Sequence, residues 1–413
     1  MAGTCCASVI RTSVLLLCFC TGLAKSPICS MDNVSYPPAL DPLPSGLAKN
    51  VSWVTVDLDQ DPRTRWAHVV EPYAADIAAL TDVITDTLRK LLGNSTVDDM
   101  LHRLDDKIDE YFVRLPKDYG AEIRGIANAT GMEPSVMFVY NMFYTVFGAC
   151  TSIVAQSADG EIFHARNLDF GLWPSFTLKD KNFWKLASVL RPLIVNVKFV
   201  RGGTELYHST TFAGFVGVHT ASKTGAFSLT VDTKFDGHVD AGLIKWWESL
   251  SDPDTELTML TRSVFEDETN YNDALTKLNQ TKVIGPAYII FSGVEKGQGA
   301  VITKGAAGAL KPDGETVDIW SLTHEIANGT FFLLQTNYDH GKPPPAFDNR
   351  RDPGRLCMEQ LTPSGFSFNG LYNVLNAVPN LNRLTTFTTL MHARSGSYEA
   401  YRQICIGLKC PLF

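Results

Sequence analysis

The sequence predicts an α+β fold whose sheets are antiparallel. Three observations carry this. Apolar residues recur at helical spacing through the first part of the chain after residue 24. Past Cys150 the pattern changes to alternation of period two, in many short runs. Few helical stretches interrupt those runs, too few to serve as the crossovers of a parallel sheet.

The helical part begins at Asp76. Ile77, Leu80, Ile84, Leu88 and Leu91 share one face as far as Gly93, a glycine placed to end the helix. Asn94-Ser95-Thr96 offers caps for a second helix with Met100, Leu101, Leu104, Ile108 and Phe112 on one face. Asp98, Asp99, Asp105, Asp106 and Asp109 lie opposite and read as a solvated helix face, since no ligand-bearing loop accompanies them. In the strand region Val195, Val197 and Phe199 alternate with polar residues, and Gly202-Gly203 turns the chain into Leu206-Tyr207-His208. Further strand-like runs are 227–231, 288–291, 300–303, 317–320 and 330–334, interrupted by helical stretches at 257–265 and 271–278. Pro343-Pro344-Pro345 marks a local loop, and no internal repeat or long linker divides the chain.

Composition narrows the function classes. Of 413 residues 45% are apolar and 19% charged, enough for a large core and unlike a disordered chain. A formal net charge of −8 argues against nucleic acid as a partner. Residues 1–24 read as a secretory signal peptide: Arg11, the apolar run Val14 to Phe19, then small residues at Gly22 and Ala24. No other segment reaches the ~18 uninterrupted apolar residues of a membrane span; Val136 to Ala149 contains Asn141 and Thr145. A secreted or lumenal protein is expected. Six sequons, at Asn33, Asn50, Asn94, Asn128, Asn279 and Asn328, fit that compartment.

Of nine cysteines, Cys5, Cys6, Cys18 and Cys20 fall in the leader, leaving Cys29, Cys150, Cys357, Cys405 and Cys410. An odd number in an oxidising compartment leaves one thiol over. Cys405 and Cys410 are close enough to close a short loop, which would pair Cys29 with Cys357 and free Cys150; the count alone allows fifteen two-bridge assignments.

The chain carries no phosphate loop, dinucleotide fingerprint, Gly-X-Ser-X-Gly elbow or His/Cys spacing for zinc, so neither cofactor nor metal is expected. His164 reads as a strand residue with its ring packed or hydrogen-bonded. Cys150 is more informative. It follows Phe147-Gly148-Ala149 and opens the strand-like run Thr151 to Ala155. A hairpin turned at Asp159-Gly160 would bring His164-Ala165-Arg166-Asn167-Leu168-Asp169-Phe170 back toward it. A cation there favours the thiolate, and a carboxylate could hold an amine. On these grounds alone a buried structural cysteine is the plainer reading.

Cys150-Thr151-Ser152-Ile153-Val154-Ala155-Gln156 and the Arg166 segment closely resemble the core of acid ceramidase and its sister, the N-acylethanolamine-hydrolysing acid amidase, among the N-terminal-nucleophile hydrolases. The resemblance continues through Phe212 to Gly217, Pro286-Ala287-Tyr288, Gln335-Thr336-Asn337-Tyr338-Asp339, Asp348-Asn349-Arg350-Arg351 and Thr385 to Leu390. It implies an αββα sandwich and a precursor cut at Ala149–Cys150 into a helical α-subunit (25–149) and a catalytic β-subunit (150–413), an α/β heterodimer. Cys150 would be nucleophile and, through its freed amine, base and acid. Asp169 would anchor that amine, Arg166 would stabilise the thiolate, Asn337 would donate to the oxyanion and Arg350 would support it. Read alone, Asn337 is a turn residue and Arg350 a surface arginine.

The ceramidase side is favoured by Cys29 beside Tyr36-Pro37-Pro38, by Cys357 after the Arg-Arg motif, and by the pair Cys405 and Cys410, although that pair is spaced one residue wider than expected. Tyr338-Asp339-His340 looks more like the amidase. Where the family has an Asn-Glu-Arg-like run this chain has Asp232-Thr233-Lys234, so no acidic role is assigned at Thr233. The resemblance implies ceramide as substrate, the lysosome lumen as location, and a saposin-type activator protein with a membrane surface or anionic lipid as partners. Val136 to Phe143 would either line an access groove for acyl chains or form a buried core helix. A rival from another class is a secreted glycoprotein that uses this fold for binding, with Cys150 inert and the chain uncut.

Overall fold

The computed structural model describes residues 49–144, 148–171, 185–235, 255–284, 286–305, 318–346 and 348–404. The leader, Cys29, Asn33, Cys405 and Cys410 lie outside the described residues.

Two sheets face each other. The first has the order β1 (Lys49–Asn50), β16 (Ser397–Arg402), β15 (Thr385–His392), β4 (Ile162–Phe170), β3 (Gly148–Gln156), β14 (Phe332–Gln335) and is antiparallel throughout. The second runs β13 (Ile319–Ser321), β12 (Gly299–Lys304), β11 (Ala287–Ser292), β8 (Phe227–Thr233), β7 (Thr220–Lys223), β6 (Thr204–Phe212), β5 (Ile194–Arg201), β2 (Trp53–Asp57). Val154, Tyr288, Ile290, Val301 and Leu333 pack between them. Helices Arg351–Leu361 and Phe368–Asn376 cover the outer face of the first sheet, where Ile153, Ala155 and Ala165 meet Met358, Leu371 and Leu375. Helix Leu257–Asp267 backs the second sheet through Phe265 against Phe227 and Tyr207. This is the αββα sandwich that the resemblance implies.

Both expected turns close hairpins. Gly202 and Gly203 adopt φ of 59° and 71°, the pair of positive values that a two-residue turn between twisted strands requires. Gly160 (φ 94°) turns β3 into β4, with Cys150 opposite Leu168 and Ser152 opposite Arg166. The antiparallel expectation needs amending at two places: β2 joins β5 in parallel, because it arrives from the N-terminal segment rather than from a hairpin, and β9 (Thr255–Glu256) pairs with β10 (Val283–Ile284) in a separate parallel two-stranded sheet.

The N-terminal helices span Ala74–Leu92, Asn94–Arg114, Tyr119–Thr130 and Pro134–Met142. Gly93, at φ 88°, is both the C-cap of the first and the N-cap of the second, and the second has no side-chain cap, contrary to the reading of Asn94-Ser95-Thr96. The five aspartates of its outer face are exposed, as a solvated face should be. Asn50, Asn94, Asn128 and Asn328 are exposed and Asn279 is half-buried. Among the described residues no helix is long and apolar enough to cross a membrane.

These helices share one core with the strands after Cys150: Ile77, Leu80, Ile126, Met137 and Phe138 belong to the same cluster as Phe212 and Phe215. Helix Pro134–Met142 is therefore a buried core helix in this uncut chain. Its Asn141, polar in an apolar run, has a reason: its side chain donates to Met137 and Gly214 carbonyls and accepts from Val216 N–H.

Ionic contacts tie the same two parts. Glu122, fully buried on Tyr119–Thr130, accepts from Arg65 (3.0 Å), Trp66 (2.6 Å) and both terminal nitrogens of Arg262 (2.5 and 2.7 Å) on Leu257–Asp267. Arg262 also holds Glu266 at 2.9 Å. Removing one partner of such a set strands the other's charge in the core, at a cost of about 3–5 kcal/mol. Glu122→Ala should lower the unfolding free energy by that amount in urea titration, whereas removing an exposed pair such as Lys90–Asp86 should change it by less than about 1 kcal/mol.

Candidate active site

Cys150 sits third in β3, a strand buried on both faces. Side chains alternate, so Cys150, Ser152 and Val154 point between the sheets while Thr151, Ile153 and Ala155 face the outer helices. The partner strand β4 obeys the same rule: His164 and Arg166 face inward with Cys150, and Asp169, an odd number of residues from Arg166, faces the other way, opposite Ala149. One strand thus sends a cation to the sulfur and a carboxylate to the backbone preceding it.

All five candidate residues converge. Arg166 Nη2 lies 2.6 Å from Cys150 Sγ, and its Nη1 is fixed on the His219 carbonyl (2.9 Å) and Thr220 hydroxyl (2.8 Å). The Cys150 N–H donates to Asn337 Oδ1 at 2.8 Å, and Arg350 Nη1 donates to the Cys150 carbonyl at 2.6 Å. Arg350 also reaches Asp169 (3.1 Å), Asn337 Oδ1 (2.7 Å) and, through two nitrogens, Asp348 (2.6 and 2.7 Å). Asp169 takes a further bond from Asn382 at 3.0 Å. Asn337 Nδ2 is spent on the Thr233 carbonyl at 2.7 Å. Neither Asn337 nor Arg350 behaves as its sequence alone suggests: both are buried, 1% and 0% exposed.

Three groups around the site were given no role in the sequence. Tyr144 Oη stands 3.7 Å from Sγ and donates to the Val231 carbonyl. Asp348 neutralises Arg350. Asp232, on β8, accepts from Ser152 (2.8 Å) and lies 3.8 Å from Arg166 Nη2. Its signal was in view: Ser228, Thr230 and Asp232 alternate with Phe227, Leu229 and Val231, a pattern that reads as a wet face. Here that face is pressed against the polar face of β3 and β4. Thr233, next along, keeps its hydroxyl buried without a partner. Cys357 is disulfide-bonded and Cys150 is a free thiol. Among the described residues no group of three potential ligands could hold a metal ion.

Burial dominates the electrostatics. It pushes the Cys150 thiol above its usual range, and the Arg166 charge pulls it back. Burial likewise raises Asp169 against the pull of Arg350, and raises Asp232 to about 7 against the pull of Arg166. His164 is lowered to about 3 by burial and by Arg166, so its ring is neutral.

Comparison with known proteins agrees with this architecture. Residues 49–112 match the family model described as the beta subunit of N-acylethanolamine-hydrolyzing acid amidase. Residues 150–342 match that of linear amide C–N hydrolases, choloylglycine hydrolase family. The chain is 33% identical to the acid ceramidase of Mus musculus over 86% of its length and 87% of that protein's, and 31% identical to that of Homo sapiens over 98% of both. The chain belongs to the acid ceramidase family. It is accordingly an amidohydrolase, and the two family models imply a two-subunit architecture. A solved N-acylethanolamine-hydrolyzing acid amidase ortholog of Caenorhabditis elegans is also similar, with TM-score 0.47 and 29% identity, covering 59% of this chain and 93% of that one.

In this member of the acid ceramidase family the depressed His164 carries a testable cost. Its folded pKa lies below the unfolded value, so protons favour the unfolded chain as pH falls below 6.5 toward 3. Between pH 7 and 5 that amounts to about 2 kcal/mol. Asp232, raised in the folded state, works in the opposite sense over the same range. His164→Gln should therefore lose about 2 kcal/mol less stability than the parent on going from pH 7 to 5, measured by urea unfolding at both values.

Proposed function

We propose that this protein is a lysosomal lipid amidase that hydrolyses ceramide to sphingosine and a fatty acid through a thioester on Cys150, after cutting itself between Ala149 and Cys150. The observation that carries the reading is the 2.6 Å contact from Arg166 Nη2 to Cys150 Sγ, on a residue whose N–H and carbonyl are already gripped by Asn337 and Arg350. An inert structural cysteine needs none of these. Support for the position of the cut comes from the match to amide hydrolases, which starts at residue 150, while the other match lies wholly before it.

On this reading the products are an α-subunit (25–149) and a β-subunit (150–413), joined by Cys29–Cys357, with Cys405 and Cys410 paired. The cut gives Cys150 a free amine, whose reference pKa of ~7.7–8.0 suits it to take the proton of its own thiol. The thiolate attacks the lipid amide, Asn337 Nδ2 turns from the Thr233 carbonyl to donate to the oxyanion with Arg350 in support, the amine protonates the departing sphingoid base, and water resolves the thioester. Asp169, on the Ala149 side of β4, holds the new ammonium. An acyl chain and a sphingoid chain need apolar surface, and Val136 to Phe143 supply it if the cut lets that helix shift from the core. A saposin-type activator and an anionic lipid surface would deliver the substrate. The N-acylethanolamine amidase is the second reading, favoured by the family model matched at residues 49–112.

Two measurements test the proposal. Cys150→Ala should fold, stay one chain on reducing gels and hydrolyse nothing; parent protein should run as one band without reductant and two with it. On parent enzyme, kcat/KM for an N-acylsphingosine should exceed that for the N-acylethanolamine of the same acyl chain, since only recognition of the sphingoid base separates them. A preference for the ethanolamide moves the assignment to the second reading. A Cys150→Ala chain that still appears as two pieces shows that another protease does the cutting.

A further inference from the structure

Self-cleavage poses a problem that hydrolysis does not. Before the cut, Cys150 has no amine: its nitrogen is an amide N–H, donated to Asn337 Oδ1 at 2.8 Å, and cannot take a proton. Some other group must receive the thiol proton. Arg166 touches the sulfur but stays protonated. The Tyr144 hydroxyl is committed as donor to the Val231 carbonyl. His219, stacked on Tyr144 at 4.6 Å, is held neutral by burial and by Arg166.

Asp232 is left. It is completely buried. One oxygen accepts from Ser152 while Oδ2 has no hydrogen-bond partner, and Asp232 Oδ1 and Cys150 Sγ flank the same Arg166 Nη2, at 3.8 and 2.6 Å. An oriented chain of hydroxyls fixes it. The Thr230 hydroxyl donates to Ser152 at 2.9 Å and the Ser152 hydroxyl donates to Asp232. Thr230 must then accept from His164 Nε2–H (3.0 Å), which leaves Nδ1 of the neutral ring to accept from Ser228 (3.0 Å). Every donor in the chain points toward Oδ1, so that oxygen is satisfied and Oδ2 is left unspent.

We propose that Asp232 is the proton carrier of self-cleavage, taking the Cys150 thiol proton and returning it to the Cys150 nitrogen. The inference rests on the reading that the chain cuts itself. The Sγ–H bond breaks and its proton moves to Asp232 Oδ2. The thiolate, paired with Arg166, forms a bond to the Ala149 carbonyl carbon. The C–N bond then breaks as the Asp232 carboxyl gives its proton to the departing nitrogen, which becomes the Cys150 amine. Water hydrolyses the thioester to an Ala149 carboxylate and a free thiol. The first transfer only relocates one negative charge from oxygen to sulfur beside the same guanidinium, so the buried site never gains net charge. Once the amine exists, the hydrolytic cycle has its own base; the two reactions of one sulfur use different proton carriers.

The test follows cutting of purified full-length precursor on reducing gels over time. Asp232→Asn should slow it by about 10²–10⁴-fold, the usual worth of a positioned acid–base group, with the melting temperature retained. Formate should restore cutting to Asp232→Ala, and formamide, equal in size but unable to carry the proton, should not. Ser152→Ala keeps the carboxyl but removes a hydrogen bond that lowers its pKa; with Arg166, Arg350, Cys150, Tyr144 and Tyr288 still facing Asp232, the pH midpoint of the cutting rate should move to higher pH. Asp232→Asn that cuts within threefold of the parent, equal rescue by formate and formamide, or an unmoved midpoint in Ser152→Ala overturns the proposal; the last decides if the Asp232 variants do not fold. Cys150→Ala separates the two failures: if it too is cut, self-cleavage itself is wrong, whereas an uncut Cys150→Ala beside a normally cut Asp232→Asn removes Asp232 alone.

Discussion

The Arg350 guanidinium is the constraint on which the site depends. It is wholly buried, and an isolated cation there would carry a prohibitive desolvation cost. It is tolerated because each nitrogen meets an acceptor: Asp348 on two sides, Asp169 on β4, Asn337 Oδ1 and the Cys150 carbonyl on β3. These acceptors come from β3, from β4 and from the loop before helix Arg351–Leu361, so the arginine settles only when all three are in place. The position of the Cys150 backbone is thus set by charge neutralisation some distance from the sulfur. The sulfur itself then depends on one further cation, Arg166, whose other nitrogen is anchored on the second sheet.

The seam between the sheets is unusual for a sandwich core in being half polar. Ser152, His164 and Arg166 on one side meet Ser228, Thr230 and Asp232 on the other, and the hydrogen bonds run in one direction along it. Such a network specifies strand register closely, because a slip of one residue would bury six polar side chains without partners and turn apolar ones into their place. It also keeps His164 neutral, since a second proton on that ring would have two donors facing each other.

How much of this the sequence disclosed depends on the residue. The amphipathic helices were legible because their outer faces are wet: Asp98, Asp105 and Asp109 contrast with Leu104 and Phe112. Gly160 and Gly202-Gly203 were legible because few other residues tolerate those turns. β15 and β16 were not read as strands: Thr386 and Thr388 spend their hydroxyls on β4 rather than on solvent, so no clean alternation of apolar and polar residues marks β15. Within the site, Arg166 and Asp169 emerged from the β3–β4 hairpin, which local turn chemistry determines. Asn337 and Arg350 could be named only by family resemblance, because they reach Cys150 across nearly two hundred residues of chain. Asp232 was hidden by its own alternation, which is the mark of a solvent-facing strand until a second polar sheet is laid over it.

The charge balance of the site joins these strands of argument. In the uncut chain the buried cations Arg166 and Arg350 are already matched by Asp169 and Asp348, so Asp232 and the thiol share no more than one negative charge between them, held as carboxylate or as thiolate, and burial raises the pKa of both. A cut before Cys150 would change the count by converting an amide nitrogen into an ammonium beside Asn337 and on the Asp169 side of the strand. One added positive charge permits one more negative charge at equal cost, and the sulfur beside Arg166 is where that charge is useful. The uncut site thereby forms its thiolate only while Asp232 holds the proton, and the cut site gives that thiolate a cation of its own. That change requires no rearrangement of the strands, because the backbone nitrogen that gains the charge already has its acceptor in place.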